Sequence, residues 1–119
     1  MTYVDGFLIP VPADKREAYR EMAEKMAPVF LDHGAIEVVE TWGDDLMKGK
    51  TTDFYMAVKA EPDENVVFSW IIWPDRATRD TGNKAAMADE RMAGMEDMNM
   101  IDGKRMIFSG FQTIVSQKA

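Results

Sequence analysis

The sequence predicts an α+β fold, a ferredoxin-like split βαβ arrangement with helices packed on an antiparallel sheet. Hydrophobic periodicity supports this prediction, because it switches between strand and helix repeats in the order strand, helix, two strands, helix, strand. The length also supports it, since 119 residues suffice for a single domain, residues 1–119, that buries its own core.

A change in hydrophobic period separates the first strand from the first helix. Residues 3–9 are apolar and rich in strand-forming side chains, and Pro10 follows them. Apolar residues then recur at helical spacing, which predicts a helix over about residues 13–33 that bends at Pro28 and ends at Gly34. The buried stripe of this helix comprises Tyr19, Met22, Met26 and Phe30.

The middle of the chain predicts two strands with a loop excursion between them. Residues 35–42 form the first of these strands, and residues 66–73, which end at Pro74, form the second. Residues 52–60 fit the periodicity of a strand as well as that of a helix. We expect a short helix there, behind a capping Thr52.

A second helix and a last strand complete the predicted fold. Asp75 can cap a helix that runs from residue 75 to about residue 89. A turn at Asp102 and Gly103 then leads into a strand over residues 105–115. The small side chains of the second helix predict its buried side, which comprises Ala77, Thr81, Ala85 and Ala88.

Two of the predicted strands are apolar on both faces. Helices cover only one face of such a sheet. When the other face remains in water, apolar and polar residues alternate along each strand. A second apolar face therefore needs a second cover, and another copy of the same sheet is the most economical one. The sequence thus predicts a homodimer. In residues 66–73 one face carries Val66, Phe68, Trp70 and Ile72, and the other carries Val67, Ile71 and Trp73.

The composition excludes several classes of protein. Without cysteine there is no disulfide, no thiolate nucleophile and no thiolate metal site. A net charge of −7 opposes nucleic-acid binding, which draws its affinity from clustered basic residues. With neither a signal-like start nor a long apolar run, we expect a cytoplasmic protein that has no membrane partner. No motif predicts a metal site or a cofactor.

Four separated motifs of this chain resemble the YbaA-like family of small bacterial proteins, a domain of unknown function. The motifs occur in the family's order and spacing and extend the resemblance over almost the whole chain. They are His33–Ala35, Val38–Asp45, Val66–Asp75 and Arg105–Phe111.

The resemblance implies a dimeric α+β barrel, in which two ferredoxin-like sheets pack against each other. The superfamily with that architecture includes cofactor-free oxygenases, isomerases and haem-degrading enzymes, alongside members without known activity. The resemblance implies no catalytic residues for this chain, because none are assigned in the family.

Glu40 is the first candidate for a functional residue. It shares a strand face with Ile36, Val38 and Trp42, and a carboxylate among apolar groups is either paired or raised in pKa. A structural ion pair with Arg105 or Arg76 and an acid–base role are both open.

Three further residues are candidates for ligand binding. His33, the only histidine, can act as a base near neutral pH or can simply complement the dipole at the end of a helix. Arg105 can supply a cation, and Trp70 belongs to a set of aromatic residues that line an apolar pocket or form ordinary core. Methionine-rich residues 92–100 fit packing or a lid better than a soft-metal site.

Two hypotheses on function follow. The first is a homodimeric protein that binds a small apolar or aromatic molecule, with Glu40, His33 and Arg105 as its polar contacts. The second is a cofactor-independent enzyme of the oxygenase or isomerase type that uses Glu40 or His33 as its base. The alternative to both is a purely structural interaction module, which would leave no enclosed pocket. If Glu40 and His33 lay apart on solvent, both site proposals would fail in favour of that module.

Overall fold

A computed structural model describes residues 1–95 and 100–119 and confirms the predicted ferredoxin-like order of elements. Four strands form one sheet in the order β2-β3-β1-β4, and every neighbouring pair is antiparallel. Among the described residues, no helix combines the length and the apolar composition needed to span a membrane. The elements are β1 (Tyr3–Pro12), α1 (Arg16–Asp32), β2 (Glu37–Trp42), α2 (Phe54–Ala57), β3 (Glu64–Trp73), α3 (Arg76–Met87) and β4 (Ile107–Gln112), with 3-10 turns at Ala13–Lys15 and Glu90–Met95.

β1 is longer than the sequence predicts, because it continues through Pro10 and Pro12. Proline cannot donate a hydrogen bond and is therefore confined to strand edges. Here the pairing of β1 with β4 ends at Leu8, opposite Ile107, while its pairing with β3 continues to Pro12. The prolines thus lie where one side of the strand has no neighbour.

α1 and the short α2 follow the predictions with small corrections. α1 includes Pro28 and is followed by Gly34, whose φ of 109° is the left-handed conformation that glycine tolerates. α2 is capped by Asp53 instead of the expected Thr52, and the Asp53 side chain accepts a hydrogen bond from the Met56 amide at 2.7 Å. Residues 52–60 therefore contain the predicted short helix.

The register of the strands confirms that the sheet has two apolar faces. Val67, Ile71 and Trp73 share one face, and together with Ile9 and Val11 of β1 they contact α1 and α3. The opposite face carries an apolar set that α2 covers only at its margin, where Phe54 packs edge-on against Phe68. That set comprises Val4, Leu8, Val39, Phe68, Trp70, Ile72, Ile107 and Phe111.

The predicted buried side of α3 is wrong. Ala77, Thr81 and Ala88 are exposed, whereas Gly82 and Ala86 are buried against the sheet. The reason lies on the sheet, where the fully buried Trp73 needs a helix that can approach closely, and glycine has no Cβ to prevent this approach. Asp75 caps α3 as predicted, accepting from the Thr78 amide at 2.7 Å.

The last strand is also shorter than predicted. β4 spans Ile107–Gln112, and residues 113–119 follow it without regular structure. Ile114 and Val115 are strongly exposed beside the open face of the sheet. The apolar pattern over residues 105–115 thus extends beyond the part of this segment that pairs in the sheet.

Gly82→Ala should destabilise the protein although alanine is the better helix former. A Cβ at position 82 would lie 2.7 Å from Cη2 of Trp73 and closer still to Cζ3 of Trp73 and the His33 carbonyl oxygen. Overpacking costs about 1–3 kcal/mol, whereas the gain in helix propensity is about 1 kcal/mol. Urea denaturation should show a net loss of up to about 2 kcal/mol in the free energy of unfolding.

The matched control is Thr81→Ala, which changes an exposed position of the same helix. We expect it to alter the free energy of unfolding by less than about 0.5 kcal/mol. A Gly82→Ala protein as stable as the control would show that α3 does not depend on this close approach.

Candidate functional site

A cavity of about 1000 Å³ lies between the sheet and the two long helices. Its walls include members of both core clusters: Ile9, Tyr19 and Met22 belong to one, and Phe30 and Ile71 belong to the other. The cavity therefore occupies space between two packed parts of the core. The other apolar lining residues described include Phe7, Ala23, Met26, Ala27, Val38, Met87, Met92, Ile101, Met106 and Phe108.

Glu40 and Tyr19 form the first polar group in this cavity. The Tyr19 hydroxyl donates to Glu40, with Oη 2.7 Å from Oε1 and 3.1 Å from Oε2. Ser69 lies directly opposite Glu40 on β3, where its hydroxyl favours the ionised carboxylate. Strand alternation places Glu40 and Ser69 on the face of the sheet that the helices cover, and Tyr19 belongs to the apolar stripe of α1.

The surroundings of this pair raise the pKa of both groups. Loss of solvent raises the pKa of the Glu40 carboxyl, and hydrogen bonds from Tyr19 and Ser69 lower it only in part. Burial and the neighbouring Glu40 raise the pKa of Tyr19 far above its ordinary value, so that its hydroxyl remains protonated and acts as a donor. β2 is an edge strand, and Glu40 retains solvent contact there. Even so, desolvation is the largest effect on its carboxylate.

Asp5 is the centre of a second polar group on the same wall. It is only 3% exposed and accepts hydrogen bonds from Trp73 Nε1 at 3.0 Å, Arg79 Nε at 2.9 Å and Asn83 Nδ2 at 3.1 Å. Arg79 also stacks over the Tyr3 ring at 5.1 Å. This carboxylate is thus fully paired, in contrast to Glu40.

Of the four residues predicted from the sequence, Glu40 and Trp70 line the cavity and His33 and Arg105 do not. By strand register, Trp70 belongs to the open face of the sheet, where it packs edge-on against Phe68, and it also contributes to the cavity wall. The binding roles of all four stay predictions.

His33 lies at the end of α1, where its Nε2 is 2.9 Å from Asp89 Oδ2. Arg91 also binds Asp89 and reaches Asp32 at 2.8 Å. Arg91 and, to a smaller extent, His33 hold the pKa of Asp89 well below its usual range. The network connects α1 to the turn after α3, at the rim of the cavity where Asp89 contributes to the lining.

Arg105 pairs with Glu64, not with Glu40. Its guanidinium makes two bonds of 2.6 and 2.9 Å to the Glu64 carboxylate and a third, of 2.9 Å, to Asp102. It also donates to the Lys59 carbonyl at 3.0 Å. Arg76, the other expected partner of Glu40, lies 3.7 Å from Asp80. The predicted ion pair of Glu40 with Arg105 or Arg76 is therefore wrong.

The described side chains of the methionine-rich residues 92–100 are divided between the two core clusters. Met92 packs against the cluster around Phe30 and Trp73, and Met100 packs against the cluster around Tyr19 and Met22. Met98 and the side chain of Met95 lie outside the described residues. Among the described residues, no group of three or more carboxylates or histidines is placed to hold a metal ion.

Sequence reasoning missed Tyr19, Ser69, Asp5 and Arg79 as polar residues of the cavity. A signal was present for two of them. Asp5 is a lone carboxylate in an apolar strand, and Tyr19 brings a hydroxyl into the apolar stripe of a helix. The same reasoning that selected Glu40 applies to both, because a polar group at a core position requires a partner.

Comparison with solved structures supports the fold. A dimeric ferredoxin-like protein from an uncultured marine organism aligns with a TM-score of 0.59 and 13% identity, over 99% of this chain and 98% of that one. A Bacillus cereus protein, provisionally named an antibiotic biosynthesis monooxygenase, aligns with a TM-score of 0.58 and 11% identity, over 99% and 98% of the two chains. Identities this low show a shared fold only.

Comparison of sequences identifies the family. The family model described as "Protein of unknown function (DUF1428)" matches residues 2–103. The protein named "Uncharacterized protein YbaA" of Escherichia coli strain K12 is 53% identical over 117 residues, which are 98% of this chain and 100% of that protein. The match confirms the resemblance found from four motifs. This chain therefore belongs to the DUF1428 family, together with YbaA.

Proposed function

We propose that this protein is a homodimer that binds a small apolar or aromatic molecule in the cavity between its sheet and its helices. The observation that supports this proposal is the Tyr19–Glu40 pair, in which a partly desolvated carboxylate without a described basic partner lies in the wall of a largely apolar cavity. Ligand sites typically combine an apolar lining with a few convergent polar groups, in cavities of about 300–1,000 Å³. We include in this proposal a cytoplasmic location and the absence of a nucleic-acid partner. The net charge of −7 opposes binding to the phosphates of nucleic acid.

The pKa of Glu40 favours a second candidate, a cofactor-independent enzyme. A carboxyl group whose pKa is raised toward neutrality can remove and return a proton, as the base of an isomerase or oxygenase does. His33 is not assigned this role, because it does not line the cavity and pairs with Asp89 at the cavity rim. An isomerase that returns a proton to its substrate leaves deuterium in the product when the reaction runs in deuterated water, and an oxygenase consumes dioxygen. Mass spectrometry and an oxygen electrode would therefore distinguish an enzyme from a binding protein, which does neither.

An apolar fluorescent dye should bind in the cavity of the wild-type protein. The neutral N-phenyl-1-naphthylamine fits the size and polarity of the lining, and its emission increases in an apolar site. Ala27→Phe adds a ring to the α1 wall and should weaken binding at least about tenfold, a loss of roughly 1.4 kcal/mol.

The control for this experiment is Ala77→Phe, which adds the same ring at an exposed position of α3. It should bind the dye as the wild type does. Equal binding by Ala27→Phe and Ala77→Phe would mean that the dye lies elsewhere, and the cavity would lose its support as a ligand site.

Glu40→Gln should stabilise the protein at alkaline pH. Because the pKa of Glu40 is raised in the folded state, its contribution to stability is present at low pH and is lost as the pH rises through the folded pKa. Near pH 8 the variant should be more stable by up to about 1 kcal/mol, a modest value because the residue keeps solvent contact. Near pH 4 the difference should disappear, because the carboxyl is then largely protonated.

Urea denaturation at the two pH values measures this effect. Glu37→Gln is the control, because Glu37 is exposed and points to the opposite face of β2. A Glu40→Gln protein that loses stability most at high pH would show that the carboxylate supports folding. That result would contradict the proposed functional role of Glu40.

The open face of the sheet supports the homodimer. Phe68 and Phe111 are 47% and 59% exposed, and a depression of about 900 Å³ on this face reaches the apolar residues Ile114 and Val115. In the described part of the chain, none of the residues that line this depression carries a charge. A contiguous apolar surface of this kind marks an interaction site, and the uncultured-marine-organism protein of the same fold is named as dimeric.

Phe111→Lys should therefore yield a monomer in light scattering at micromolar concentration. A buried lysine without a partner cannot be tolerated in an apolar interface. Leu31→Lys is the control, because Leu31 is exposed on α1 and outside the open face. A wild type that is already monomeric and folded at this concentration would contradict the homodimer.

A further inference from the structure

Glu40 has no basic partner among the described residues, whereas several arginines are bound to other carboxylates. Four arginines each bind two carboxylates, and none of these carboxylates is Glu40. In a chain of 14 basic and 21 acidic residues, the carboxylate of the cavity wall is left with hydroxyl partners only. The arginine pairs are Arg20 with Glu17 and Glu24, Arg79 with Asp5 and Asp80, Arg91 with Asp32 and Asp89, and Arg105 with Glu64 and Asp102.

The remaining hydrogen-bonding capacity of Glu40 is that of an acceptor. An ionised carboxylate offers about four lone-pair sites, and the Tyr19 and Ser69 hydroxyls do not occupy all of them. A ligand group that donates a hydrogen bond is therefore complementary to this site. A donor that also carries positive charge is the most complementary, because a charge-assisted bond is roughly twice as strong as a neutral one.

The apolar walls of the cavity also suit a cation with an aromatic body. Phe7 and Phe108 stack with ring centroids 6.1 Å apart, and Phe30 lines the cavity from α1. Aromatic faces attract cations through their quadrupole, and the polarizable sulfur atoms of Met22 and Met26 make favourable contacts with aromatic rings.

The opposite end of the cavity, at α3, does not reverse this preference. It carries Arg79 and Lys84, but Arg79 is already neutralised by Asp5 and Asp80. Asp89 at the same end is likewise bound by Arg91, and the charges of Glu90 and Lys84 offset each other. The α3 end therefore offers an anionic ligand no cluster of basic groups that would outweigh Glu40.

We propose that the cavity selects amphipathic cations, in which an aromatic body carries an amine or ammonium group that binds Glu40. This inference rests on the proposed function and names the chemical class of the ligand. Tyr19 then holds the carboxylate toward the cavity, and Glu40 accepts a hydrogen bond from the ligand's ammonium group.

The test compares three probes that share one ring system. They are 1-naphthylmethylamine, 1-naphthalenemethanol and 1-naphthoate, titrated into the wild-type protein by calorimetry near pH 8. The amine should bind at least about tenfold more tightly than the alcohol, and the carboxylate should bind most weakly. This comparison needs no variant and does not depend on the folding of one.

Two variants then assign the preference to one residue. Glu40→Gln should reduce the affinity for the amine to that for the alcohol, and should leave the affinity for the alcohol unchanged within about threefold. Glu37→Gln removes the same charge from the opposite face of β2 and should retain the full preference.

The other outcomes separate this inference from the proposed function. If the alcohol binds as tightly as the amine, or the carboxylate binds best, the selection of cations is wrong and the apolar site remains. If none of the three probes binds but the neutral dye does, the cation inference is likewise overturned. If neither the probes nor the dye bind, the cavity is not a ligand site and both proposals fail.

Discussion

The position of α3 depends on the hydrogen bonds that the buried carboxylate of Asp5 accepts. A carboxylate that is 3% exposed destabilises the fold unless charged and polar donors surround it. Two of its partners, Arg79 and Asn83, come from α3, and a third is the indole of Trp73. α3 can therefore cross the sheet only where these donors reach Asp5. α1 contributes to both core clusters, and a cavity is left between it, α3 and the sheet.

The two carboxylates of the helix-facing wall illustrate opposite solutions to the same problem. Asp5 obtains a full ion pair and serves the fold. Glu40 obtains a tyrosine and a serine, which orient it without neutralising it, and loss of solvent raises its pKa. A charge that is kept in an apolar wall without a counter-ion costs stability, and such a cost is retained where a ligand or a proton uses it. This contrast makes Glu40 the centre of the candidate site.

Strand periodicity was enough to predict Glu40 as a candidate residue, but the partners and packing around it could not be predicted from the sequence. Glu40 was found because strand alternation places it on an apolar face, which depends only on its neighbours in the chain. The buried side of α3 was mispredicted, because small side chains lie on several sides of this helix and only the close approach of Trp73 selects the side that carries Gly82. Likewise, Arg105 pairs with Glu64 and not with Glu40 because the start of β3 and the segment that precedes β4 meet in the folded chain.

The sequence by itself determined the type and order of the elements, the two apolar faces of the sheet and membership of the family. Each of these follows from residues that are close along the chain or from motifs in a fixed order. Only the tertiary structure decided which carboxylate receives an arginine, which side of α3 is buried and where a cavity remains. Those outcomes depend on contacts such as Tyr19 with Glu40 and Asp5 with Asn83, which are 21 and 78 residues apart. Periodicity carries no information at that range, because it reports which face a side chain takes and not which partner it meets there.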